Sequence, residues 1–152
     1  MKTLARRADK TDILRRMKTV RVDSPGRWGR MSSHQMICHL TDSFRVVMGQ
    51  KPVSHTRTLL ERTVVKWFAL YAPLPWPKGI PTRPEVDQFG GGTQPAEFAA
   101  DVAELEALID VITVEGTRVE WTPHPIFGAM SDAAWLRWAY LHMDHHLRQF
   151  GA

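Results

Sequence analysis

The chain has 152 residues, 43% of them hydrophobic, a formal net charge of +4 and a single cysteine, Cys38. That length suits one domain over residues 1–152, burying about two thirds of the surface its unfolded form exposes. One cysteine excludes an intramolecular disulfide and makes a reducing, cytoplasmic setting the expectation. The first seven residues lack the apolar core of a signal peptide, and the greasiest stretch, residues 67–77, is too short and proline-rich to span a bilayer.

In chain order, residues 1–30 hold ten Lys/Arg against three Asp, while the remainder holds ten against thirteen acidic groups. This basicity reads as a solvated first helix before it reads as a nucleic-acid surface, because no aromatic interleaves it before Trp28. A first, short helix is predicted over residues 9–20, with Ile13, Leu14, Met17 and Val20 on one stripe, ending before Ser24-Pro25-Gly26. The second begins at Ser32, where Gln35 three residues on completes a capping-box pattern, and runs to about Met48. Met36, Ile37, Leu40, Phe44, Val46 and Val47 form its apolar arc, with Gln35, Cys38, Asp42 and Arg45 behind. His39 falls inside the arc.

A third helix is predicted near residues 56–71, its stripe of Leu59, Leu60, Val64, Trp67, Phe68 and Tyr71 reading as core. A fourth, near residues 95–112, carries Phe98, Val102, Leu105, Leu108, Ile109 and Ile112 at the same spacing. Neither stripe contains an ionisable group, so chemistry is expected from helices two and five and from loops. Between them, residues 72–94 hold five prolines and Gly90-Gly91-Gly92, which leaves either a functional lid or a poorly ordered insertion. Trp76, Lys78, Arg83, Glu85, Asp87 and Phe89 are its candidates for a pocket mouth. A short extended piece is expected at residues 117–121. The stiff turn His124-Pro125-Ile126-Phe127-Gly128 then feeds a last helix over residues 131–150, N-capped by Ser131.

On that last helix His142 and His146 stand four residues apart on a face shared with Trp135, Ala139 and Phe150, opposite Arg137, Asp144 and Arg148. A neutral buried imidazole needs a hydrogen-bond partner, and three on converging apolar faces leave several ring nitrogens seeking one. A cation answers that demand. His39, His142 and His146 are therefore the expected metal triad, built across facing helices, with Ser43 and Gln149 as partners or orienting groups. A lone histidine among them would read as a satisfied core residue. His145, at the edge of the arc, is either a half-exposed helix residue or a base near an open metal position. His124 is either a turn residue or a further ligand or proton shuttle; His34 and His55 read as surface residues, and Cys38 as small packing.

Trp28, the run Ser32-Ser33-His34-Gln35-Met36-Ile37-Cys38-His39-Leu40 and, far downstream, His142-Met143-Asp144-His145-His146-Leu147-Arg148-Gln149 resemble the DinB-like superfamily, also called DinB/YfiT-like metalloenzymes. The resemblance implies an all-α four-helix bundle whose second helix supplies one histidine and whose last supplies His-x-x-x-His. Together they would hold nickel or zinc, with iron or manganese as alternatives. His39, His142 and His146 match those positions one for one. The 124–128 segment, Trp135 and residues 145–151 are similar to an uncharacterised bacterial branch of that superfamily. The long Pro/Gly-rich loop and the extra short helix are departures from the general bundle.

The expected function is a divalent-metal enzyme in which three imidazoles leave a position open, as catalytic sites do. Similarity to thiol-dependent members implies transfer of a low-molecular-weight thiol, and metal-activated hydrolysis is the other route, with His145 or His124 as proton carrier. The alternative is a non-catalytic bundle that binds metal or a partner, including a second copy of itself as a homodimer. Nucleic-acid binding through residues 1–30 is a weaker third reading.

Overall fold

The computed structural model describes residues 1–55, 58–114 and 119–152, and the described residues contain helices and no strand. Five α-helices follow in order: α1 (Arg7–Met17), α2 (Ser33–Val47), α3 (Lys66–Tyr71), α4 (Phe98–Thr113) and α5 (Asp132–Gln149). A π-helical turn, Glu61–Val65, leads into α3, and a 3-10 turn, Pro84–Val86, lies in the long loop. No helix among the described residues is long and apolar enough to cross a membrane. Thr117 and Arg118 of the expected extended piece, and Thr56 and Arg57 at the start of the third helix, lie outside the described residues.

Local chemistry sets several boundaries. The Ser32 hydroxyl accepts from the Gln35 amide and the Gln35 side chain accepts from the Ser32 amide, the reciprocal box its sequence predicts. Ser131 likewise accepts from the Ala134 amide to start α5. α1 stops at Met17 rather than Val20, because the Val20 amide turns back to the Met17 carbonyl; Val20 still reaches the core.

α5 is the central element. It packs against α1, α2 and α3, while α2 lies along α4. Trp135, Ala139, Met143 and Leu147 of α5 join Met36, Ile37, Leu40 and Phe44 of α2 and Leu105 and Ile109 of α4 in one core. Each large side chain so buried contributes roughly 1.5–3 kcal/mol. α5 is enclosed further round than an amphipathic reading expects. Arg137, placed with the solvent-side charges by periodicity, is buried, donating to the carbonyls of Leu70 and Lys2.

The N-terminal cations are used inside the molecule. Lys10 pairs with Asp110 at 2.7 Å, Arg16 with Asp144 at 2.8 Å and Lys18 with Glu106 at 3.6 Å, so α1 is matched by carboxylates of α4 and α5.

The third helix departs most from expectation. Its stripe faces outward: Leu59 is 76% exposed, Phe68 57% and Trp67 56%, while Leu70 is fully buried. The i to i+5 bonding of Glu61–Val65 shifts the helical phase, so one 3.6-residue period does not hold across the segment.

The long loop is fastened to α2. Asp42, expected behind the apolar arc, is fully buried and accepts from the Thr93 amide and hydroxyl, both at 2.7 Å, and from Lys51 at 2.7 Å. Gly90, Gly91 and Gly92 fold back on the carbonyls of Asp87 and Pro84. A Cβ at Gly92 would come within 2.7 Å of the Asp87 backbone, so the turn requires glycine there.

Candidate metal centre

α2 and α5 bring His39, His142 and His146 together, with one ligand-capable nitrogen from each within 4.8 Å of the others. All three are buried, with ring centroids 4.8–5.2 Å apart.

The outer hydrogen bonds fix which nitrogens face inward. His39 Nδ1–H donates to the Val86 carbonyl at 2.8 Å, which leaves Nε2 with its lone pair. Gln149 Nε2 donates to the Trp28 carbonyl at 2.8 Å, so its Oε1 must be the acceptor for His146 Nδ1–H at 2.9 Å. His146 Nε2 is then also a lone pair. Burial holds all three imidazoles neutral by pushing their pKa values down; at His142 and His146 the neighbouring histidines add to this, whereas the Val86 carbonyl works against it at His39.

His142 is the exception. Its Nε2 lies 3.2 Å from His39 Nε2, and its Nδ1 is buried with no hydrogen-bond partner among the described residues. An unpaired buried polar atom costs about 1–3 kcal/mol. Two nitrogens on one tetrahedral ion with bonds of about 2.0–2.1 Å stand roughly 3.3 Å apart, close to the His39–His142 separation. Inward lone pairs on two rings, each fixed by an outer partner, and a third ring nitrogen at the spacing of two ligands on one ion are the arrangement a divalent cation needs.

Around the trio lies a cavity of about 1020 Å³, lined mainly by aromatic and aliphatic side chains. Trp76 covers it, its indole donating to the Ala69 carbonyl at 2.7 Å and its ring 5.8 Å from His142 and 6.1 Å from His145. Trp28, Arg83, Asp87 and Phe89 also line it, while Lys78 stands over the Trp28 ring at 4.5 Å and Glu85 accepts from the Ser54 amide.

His145 is half-buried on the cavity wall, between the rings of Trp28, Trp76 and His146, and burial lowers its pKa. His124 is buried in the wall, its ring stacked on Phe127 at 4.4 Å. Its Nδ1 accepts the amides of Ile126 and Phe127, both at 3.1 Å. Burial, with help from Lys66, His55 and Arg83, pushes its pKa down to about 3. Ser43 donates to the His39 backbone carbonyl rather than to the ring, and Gln149 serves His146, not His142.

The family pattern described as Protein of unknown function (DUF1569) matches residues 3–152. The chain belongs to this family. Comparison with curated proteins and with solved structures finds no match.

The DUF1569 chain holds a second cluster that the stripe argument passed over. Asp101 of α4 accepts from His34 Nε2 at 2.6 Å and lies 3.8 Å from Cys38 Sγ. His34 is thus partly buried rather than a surface residue. The i, i+4 spacing of His34 and Cys38 was readable; Asp101, 63 residues beyond Cys38, was not. Burial first, then the Asp101 charge, push the Cys38 thiol up to about 12, so it stays a thiol and packs.

Proposed function

We propose that His39, His142 and His146 hold a divalent metal ion and that the chain is an enzyme acting on a small molecule in the adjoining cavity. The observation that carries this reading is the convergence of two tautomer-fixed imidazoles, lone pairs inward, on a third whose Nε2 stands at the spacing of two ligands on one ion. On this reading the chain is a DinB-like four-helix bundle, and nickel or zinc is the ion that three imidazoles suit best, with iron or manganese as alternatives. A bound dication would lower the pKa of a water or thiol beside it and polarise a carbonyl. That chemistry suits transfer of a low-molecular-weight thiol or hydrolysis.

The surrounding residues have distinct tasks. The Val86 carbonyl and Gln149 orient His39 and His146, as outer partners of metal ligands do. Trp76 and the loop behind it shield the trio from bulk water. His145, on the cavity wall next to His146, is the proton carrier of choice. His124 is not, since two amides occupy the nitrogen that would accept the proton.

Elemental analysis of untagged protein alongside His39→Ala, His142→Ala and His146→Ala tests the reading. Near-stoichiometric metal in the wild type and its loss in each variant is the expected result; metal content indifferent to all three refutes it. Turnover of thiol, ester or amide substrates by the loaded protein then separates an enzyme from a metal-binding module.

The exposed apolar face of Leu59, Leu60, Val64, Trp67 and Phe68 supports a second reading, in which the chain binds a second copy of itself. Sedimentation of wild type and Trp67→Glu tests it. A dimer dissociated by the substitution supports it, and a wild-type monomer at high concentration refutes it.

A further inference from the structure

The cavity wall carries a polar pair that the histidine trio does not use. His124 spends Nδ1 on the amides of Ile126 and Phe127, so the proton of its neutral ring sits on Nε2, its one uncommitted polar atom. Arg83 lines the same cavity and forms no ion pair among the described residues. Glu85 feels the Arg83 charge, but its carboxylate accepts from the Ser54 amide; Asp87 accepts from the Phe89 amide. The groups that act electrostatically on His124 are Lys66, His55 and Arg83, all cationic or able to become so. Arg83 and His124 thus offer cationic and neutral donors on a lining that also includes the Asp87 carboxylate, while Trp76, Phe68 and Ile80 make other parts of the wall apolar.

We infer that the cavity binds an amphiphile bearing a terminal oxyanion, its acidic end on Arg83 and His124 Nε2–H and its apolar body along Trp76 and Phe68. The inference deepens the metal-centre reading and rests on it for the reaction alone, because binding of the oxyanion needs no ion. The Arg83 guanidinium, partly buried and in no ion pair among the described residues, can make charge-assisted bonds to an oxyanion that it cannot make to a neutral or cationic molecule. His124 adds a donor that remains neutral across ordinary pH, so it neither repels a cation at the trio nor competes for the substrate's proton. The volume, about 1020 Å³, accommodates a body of drug-like size or larger.

The test uses metal-depleted full-length protein, with intrinsic tryptophan fluorescence following titration by octanoate, octyl phosphate and octanol. At least one of the two anions should bind about tenfold or more tightly than octanol, the difference expected from one charge-assisted contact; the tighter of the two identifies the head group. Arg83→Met should erase the preference, and Arg83→Lys should retain most of it. Octanol binding as tightly as both anions, or a preference intact in Arg83→Met, overturns the proposal. Should Arg83→Met fail to fold by circular dichroism, the salt dependence of the wild-type preference decides: it falls with ionic strength if the oxyanion sits on Arg83, and salt independence overturns it. Metal content measured before depletion and after reloading keeps the two readings apart: an anion preference in a protein that never takes up metal refutes the metal centre alone, and a metal-binding protein without the preference refutes this inference alone.

Discussion

Gln149→Leu is the sharpest perturbation of the candidate centre, because Gln149 touches the trio only through one ring. Its Oε1 accepts from His146 Nδ1–H at 2.9 Å and its Nε2 donates to the Trp28 carbonyl at 2.8 Å, with the side chain buried. Removing the outer partner of a metal-ligating histidine costs about 10- to 100-fold in metal affinity, or about 1.4–2.8 kcal/mol. The apo protein also suffers, since the buried His146 Nδ1–H and the partly buried Trp28 carbonyl lose their partner at about 1–3 kcal/mol. For a chain of this length that lowers Tm by roughly 4–8 °C for a mid-range 2 kcal/mol. Competition against a chelator of known affinity, run well below Tm at neutral pH with zinc and with nickel, reads the first effect; thermal unfolding of the apo form reads the second. Gln149→Glu separates them. It keeps an acceptor for His146 while losing the donor to Trp28, so affinity should stay at or above wild type although stability falls. Affinity in Gln149→Leu within twofold of wild type, alongside the expected loss of apo stability, would show Gln149 to be structural only and remove His146 from the ligand set.

Three further outcomes follow from the same structure. His142→Phe should abolish metal binding and change apo stability by no more than about 1 kcal/mol, because it removes the orphaned Nδ1 but also takes the Nε2 neighbour at 3.2 Å from His39; retained metal, or a larger change in denaturant unfolding, contradicts the argument. Ser32→Ala should cost about 1 kcal/mol by opening the capping box of α2, the helix that carries His39, and unchanged denaturation would show the box to be energetically idle. Burial opposes ionisation of Asp9, but Lys2 and the Thr3 amide outweigh it and hold its pKa below the usual 3.8. A lowered folded value means stability that is complete above the ordinary carboxylate pKa and lost as pH falls through the folded value. Acid unfolding of wild type should thus be steeper below pH 4 than that of Asp9→Asn, and parallel curves would refute the linkage.

The trio was legible because its three members obey rules confined to single helices. An i, i+4 pair on α5 and a histidine within the apolar arc of a capped α2 need only the helical period and the assumption that apolar arcs face one another. The third helix defeats the same rule. Its apolar residues are as regular as those of α4, yet α4 meets α2 along its length while the 59–71 segment meets the molecule chiefly through Leu70 and its neighbours. Periodicity reports which residues share a face; whether another element covers that face is a tertiary fact. Arg137 and Asp42 fail for the converse reason, being charges buried because distant carbonyls, amides and a lysine satisfy them.

What orients the site was less legible than what composes it. His39 is held by the Val86 backbone carbonyl and His146 by a glutamine whose amide is set by the Trp28 carbonyl. Carbonyls are available at every residue, so no residue type at position 86 or 28 announces the contact. What places the Val86 carbonyl is the loop, and the loop is placed by Asp42 on α2, one turn from His39, through Thr93 and Gln88. Anchor and ligand therefore sit on one rigid helix, so a shift of the loop relative to α2 is felt at His39 Nδ1. Asp42→Asn puts that coupling to the test, because an amide keeps the side-chain volume but loses an acceptor and the Lys51 pair. Its metal affinity should fall with that of the orienting variants although residue 42 touches no ligand ring. An Asp42→Asn protein with a loosened loop, seen as faster amide exchange over residues 86–93, and wild-type metal affinity would mean that the Val86 carbonyl follows His39 rather than directing it.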